Sequence, residues 1–127
     1  MGYLSSKEAE SLRKRADEYL QTYEFHMSNR IYALAMFDLE QALQLHVKAS
    51  LLEGGIAYPR THSIRRLLEI LADVRKDEAL KNIVKEHAVE LRLLEEAYIS
   101  SRYAVTDFRE DEVLRVKKAF DEVLKHV

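Results

Sequence analysis

The sequence predicts an all-α protein, an antiparallel up-and-down bundle of four to five helices forming one domain over residues 1–127. Three observations predict it. The chain has 127 residues, enough for one domain. It contains one proline and three glycines, well under the typical ~5% and ~7%, so it has few places to turn and its elements must be long. Apolar residues recur every three or four positions, the period of a helix with one buried face.

The first helix is expected over about Ser5–Tyr23. Ser5 and Glu8 have capping-box spacing, and Ala9, Leu12, Ala16, Tyr19 and Tyr23 line one stripe. The second runs from about Ser28 to Glu53 and stops at Gly54-Gly55, a pair suited to a left-handed end. Ile31–Phe37 is apolar throughout, which makes this the central, most buried helix. Residues 56–60 form a connector, because Pro59 disfavours helix before it. Thr61 or Ser63 can cap a short third helix carrying Ile64, Leu67, Leu68 and Leu71. A fourth is expected over about Asp77–Tyr98. Ile99–Val105, β-branched and serine-rich, reads as a loop or a distorted end. Thr106 or Asp107 can start the last helix, with Val113, Val116, Phe120, Val123 and Val127 inward.

Composition removes several classes of function. Hydrophobic residues at 47% and charged ones at 33% are a globular balance. The absence of cysteine excludes a disulfide scaffold, a thiolate metal site and a cysteine nucleophile. Twenty Lys and Arg against 22 Asp and Glu argue against broad DNA binding, which demands a basic excess. The start, MGYLSSKEAE, turns polar too soon for a signal peptide, and no apolar run suggests a membrane span, so a cytoplasmic chain is expected. A di-metal bundle site needs Glu-x-x-His pairs on facing helices, and no histidine here has Glu three residues before it. His87-x-x-Glu90 has the reverse spacing and reads as a solvated helix face, as does Arg13-Lys14-Arg15. No glycine-rich phosphate loop is present. Neither a metal nor a cofactor is expected.

Three strings carry more information. They are Gln41-Ala42-Leu43-Gln44-Leu45-His46-Val47-Lys48-Ala49, then His62-Ser63-Ile64-Arg65-Arg66-Leu67-Leu68, then Ala97-Tyr98-Ile99-Ser100-Ser101-Arg102-Tyr103. In this order the chain resembles the HEPN family, the higher eukaryotes and prokaryotes nucleotide-binding domain. That family shows Gln-Ala-x-x-x-x-x-Lys on its second helix, His-x-Leu-x-x-Leu-Leu after a loop, and Ser-Arg-Tyr before the last helix. Two departures stand out: Gln44-Leu45 where many members have Glu-Lys, and Ala104 where a proline is common.

The resemblance implies a homodimeric helical bundle with a polar cleft near the Arg-Tyr motif. Some members bind nucleotides, as does the similar domain at the end of sacsin. Others are ribonuclease toxins paired with a minimal nucleotidyltransferase antitoxin. Nucleotide-binding candidates are therefore Arg102, Tyr103, Lys48, Gln44 and His62. Arg102 offers a planar fork of donors for a phosphate, and Tyr103 a ring for a base. The alternative for that pair is structural, with Arg102 bonding the last carbonyls of its helix and Tyr103 packed in the core. Glu40, Gln44 and Lys48 step by four along the second helix and face either solvent or a cleft. His62 either holds the connector by a hydrogen bond or joins a ligand site.

No catalytic residue is predicted. Catalytic members place a histidine after the Arg with four to six residues between them, and the corresponding positions here are Asp107, Phe108 and Arg109. The expected function is thus a non-catalytic module that binds a nucleotide, another phosphate-bearing ligand or a partner protein. The alternative is the ribonuclease toxin, with His62 or a second chain's histidine supplied through space.

Overall fold

The computed structural model describes residues 3–103 and 107–127, with side chains for 6–100 and 107–127. Six helices and no strand occur among the described residues: α1 (Tyr3–Ser28), α2 (Tyr32–Glu53), α3 (Ile64–Arg75), α4 (Glu78–Glu86), α5 (Ala88–Tyr103) and α6 (Glu110–Leu124).

Helix α2 is the axle. It packs along the length of α1 and also meets α3, α5 and α6. Residues all around it are buried, from Ala35 and Met36 through Leu39, Leu43 and Val47 to Leu51. The main core joins these to Leu67, Leu68 and Leu71 of α3, Leu91 and Leu94 of α5, and Val113, Val116 and Phe120 of α6. A helix apolar on one stripe can sit at a surface, whereas one buried on every side must be central.

The caps follow local chemistry. At the end of α2, Ile56 N–H donates to Leu51 O and Gly55 N–H to Leu52 O, both at 2.9 Å. This is a Schellman closure whose left-handed residue is Gly55, with φ 78°. Ser63 accepts the Arg66 N–H and caps α3, with Thr61 one step outside, its hydroxyl oxygen accepting from Ser63 N–H at 3.1 Å. Asp77 likewise accepts from Leu80 N–H at 2.9 Å and caps α4.

Five expectations are corrected. Helix α1 already includes Ser5 and runs on to Ser28, so Ser5 is not its cap and Tyr23 is not its end. It closes at Arg30, φ 60°, where Ile31 N–H reaches back to His26 O, and α2 starts at Tyr32 rather than Ser28. The fourth helix is two, broken at His87, which raises the helix count to six among the described residues. No glycine or proline marks that break. The two halves pack on different neighbours, α4 on α3 and α6, and α5 chiefly on α2. Residues 99–103 continue α5 instead of forming a loop, while Ala104, Val105 and Thr106 lie outside the described residues. Helix α6 begins at Glu110, later than expected. Glu112 accepts the Arg109 N–H at 2.8 Å there, and Asp107 Oδ1 accepts the Phe108 N–H at 3.1 Å.

No described helix is long and apolar enough to cross a membrane.

Candidate functional site

The stripe expected on α2 faces inward. Glu40 is completely buried and Gln44 nearly so. The solvent-face alternative is therefore set aside. The three side chains form one relay. The Gln41 and Gln44 amides donate to the two Glu40 carboxylate oxygens, each at 2.6 Å, and Lys48 Nζ donates to Gln44 Oε1 at 2.8 Å. Burial pushes the Glu40 carboxyl up to about 7, against the opposing pull of the two amides and Lys48. Both ends of the Gln44 amide are engaged, its NH2 group donating to Glu40 and its oxygen accepting from Lys48, so Gln44 positions its neighbours.

Lys48 is unlike the other residues of the relay. Its ammonium is half-buried, bonds to a neutral amide oxygen, and lies 5.1 Å from the centroid of the Tyr58 ring. Among the described residues no carboxylate lies within ion-pair distance of it. Loss of water on burial holds its pKa below the usual lysine value, with Glu40 pulling the other way. Tyr58, on the connector, is fastened to α1 by its hydroxyl, which donates to Glu8 at 3.3 Å.

Glu95 of α5 holds the start of α3 at the end of the connector and was not anticipated. Its charge bears on Glu40 from across the α2–α5 packing. It accepts from the Ser63 hydroxyl at 3.1 Å, from the Arg65 N–H at 3.0 Å, and from the Arg65 guanidinium at 2.9 and 3.2 Å. Burial alone would raise its pKa, but these bonds outweigh burial and hold it below the usual carboxylate range. Arg65 is therefore consumed structurally. The sequence cue was available, since Glu95 sits beside Leu91, Leu94 and Tyr98 on the inner part of its helix.

His62 is exposed and lies flat on Tyr98, ring centroids 4.3 Å apart and planes 21° from parallel. The Tyr98 hydroxyl and His62 Nε2 are 3.3 Å apart. Arg102 follows Tyr98 by four residues, one turn further along α5. The backbone of Arg102 and Tyr103 forms the last turn of that helix, and their side chains lie outside the described residues.

Gln44 and Lys48 are thus directly joined. Gln44 also bonds Glu40, Glu95 holds Ser63, and His62, next to Ser63, stacks on Tyr98, which lies one turn before Arg102 on α5.

Two other expected solvated faces each turn one residue inward, while Lys14 and Arg15 are exposed as expected. Arg13 reaches across to α2, bonding Glu53 at 2.7 and 2.9 Å, Ser50 Oγ at 2.9 Å and His46 Nδ1 at 3.0 Å. Glu90 is buried and pairs with Arg115 of α6 at 2.7 Å. Two shallow surface pockets, of about 210 and 190 Å³, lie elsewhere, between α3 and α4 and along α1. No cluster of three His, Cys, Asp or Glu suited to a metal ion occurs among the described residues.

Comparison with curated proteins and with solved structures found no match. A family model described as HEPN domain matches residues 9–127, nearly the whole chain. The match spans α2, the connector and α5, the elements that carry the relay and the Arg-Tyr turn. By that match, the chain belongs to the HEPN domain family.

Proposed function

We propose that the chain is a non-catalytic HEPN module, cytoplasmic and homodimeric, that binds a nucleotide or another phosphate-bearing ligand, with Lys48, His62, Arg102 and Tyr103 contacting it and Gln44 setting the Lys48 ammonium in place. The observation that carries this reading is Lys48, a half-buried cation bonded to an amide oxygen beside an aromatic face, with no carboxylate within ion-pair distance among the described residues. A buried charge without its counter-charge is costly, and an anionic ligand supplies one. Asp107, Phe108 and Arg109 stand at the family's histidine positions and none is histidine, which favours binding over cleavage. For the dimer, exposed Phe25, Ile31 and Leu34 flank the α1–α2 turn and offer apolar surface that a second copy would cover.

The test is calorimetric titration with adenosine monophosphate and with inorganic phosphate. A charge-assisted bond is worth ~1.5–3 kcal/mol, so Lys48→Gln and Arg102→Ala should each weaken binding about tenfold to a hundredfold. Unchanged affinity in both variants overturns the reading, as does failure of the unmodified protein to bind any phosphate compound. Incubation with single-stranded RNA runs alongside. Cleavage that disappears in Arg102→Ala replaces the binding module with the ribonuclease toxin and its nucleotidyltransferase partner.

A further inference from the structure

Three rings, on α2, α5 and the connector, run in near-parallel planes toward the surface. Phe37 of α2 stacks on Tyr98 of α5 with centroids 6.4 Å apart and planes 23° from parallel, and Tyr98 in turn stacks on His62. The stack ends in solvent. Tyr98 covers one face of the exposed imidazole and leaves the other open.

The ring is held in place before any ligand arrives. Its Nε2 lies within hydrogen-bond reach of the Tyr98 hydroxyl. The connector on either side is tied down, because Thr61 N–H donates to Pro59 O at 3.0 Å and Ser63 both caps α3 and donates to Glu95. A surface aromatic with one face covered and its rotation restrained loses little entropy when a planar group lands on the other face.

The surroundings select what lands there. Arg60 and Arg66 flank His62 in sequence, both are exposed, and neither has an ion-pair partner among the described residues. The third arginine of the stretch, Arg65, is neutralised by Glu95. An exposed aromatic ring with two exposed arginines close by in sequence suits a planar base carrying a phosphate, the combination that single-stranded nucleic-acid sites use.

We infer that the open face of His62 stacks the base of a nucleoside phosphate, as the next ring above Phe37, Tyr98 and His62. This rests on the phosphate-binding reading above and adds to it that the ligand must bring an unpaired base.

The experiment compares adenosine monophosphate with ribose 5-phosphate, which keeps the sugar and phosphate and lacks the base. Each is titrated calorimetrically into the unmodified protein, His62→Ala and His62→Phe. The unmodified protein should prefer adenosine monophosphate by about tenfold or more, the usual worth of one stacked base. His62→Ala should lose that preference and His62→Phe should keep it. Because His62 is exposed, both variants should melt as the unmodified protein does. Equal affinity for the two compounds in the unmodified protein overturns the stacking inference and leaves phosphate binding standing. So does a preference that survives in His62→Ala. If neither compound binds, the phosphate reading falls and this inference with it.

Discussion

Glu40 should make the protein lose stability as pH rises toward neutrality, the reverse of what an ordinary ion-paired carboxylate does. Its side chain is fully enclosed, and burial lifts its pKa from 4.5 to about 7. Between those two values the folded protein holds a proton that the unfolded chain has released. Folding is therefore favoured by this group below pH 4.5, and the benefit disappears as pH rises through 7. Each pH unit between the two values is worth about 1.4 kcal/mol, which gives about 3 kcal/mol in all. Glu40→Gln is the perturbation, because glutamine resembles the neutral acid in size and carries no proton to lose. The two proteins should unfold in urea at nearly the same concentration near pH 4.5. Above pH 7 the variant should need about 1.5 M more urea, for a slope of ~2 kcal/mol/M. Circular dichroism follows the loss of helix. Taking the difference between the two proteins cancels the titration of every other group. A difference that stays constant from pH 4.5 to 7.5 would refute the reasoning, since Glu40 would then have to be solvated. A difference that grows in favour of the unmodified protein would mean that Lys48 and the two amides hold the ionised form more strongly than burial opposes it.

Two further outcomes follow from the packing. His46 should titrate below its ordinary 6.5, because burial disfavours its charge and the Arg13 guanidinium, which can only donate, faces its Nδ1, while Asp17 and Glu53 oppose less strongly. Its contribution to stability is present above 6.5 and is lost as pH falls through the folded value; an NMR titration placing the ring at 6.5 or higher would sink this. Gly55→Ala should cost about 1 kcal/mol, because φ is 78° there and a Cβ is strained in the left-handed region. A thermal melt unchanged by that substitution would remove the closure after α2 from the account.

What the sequence determined by itself is what depends on neighbours in the chain. Helix stops and starts at Gly54-Gly55, Ser63 and Asp77 were legible because a cap is made by groups within a few residues of one another. The central place of α2 was legible because a helix apolar on all sides has nowhere else to go. Residues of the candidate site were recognised through three ordered strings, at Gln41–Ala49, His62–Leu68 and Ala97–Tyr103, and the family match covers all three.

Only the tertiary structure decided which polar residues leave water. Glu40 and Glu90 differ in nothing local from carboxylates on an open face, yet α5 closes over the first and Arg115 of α6 pairs with the second. Arg13 meets Glu53 forty residues away, and no periodicity within α1 announces that partner. The break at His87 has no local breaker, and its cause is two sets of neighbours pulling consecutive turns onto different helices. The joining of His62 to Tyr98 across 36 residues is of the same kind. Side-chain burial and pairing between distant segments are properties of the packed bundle, so they enter only when the helices are set against one another.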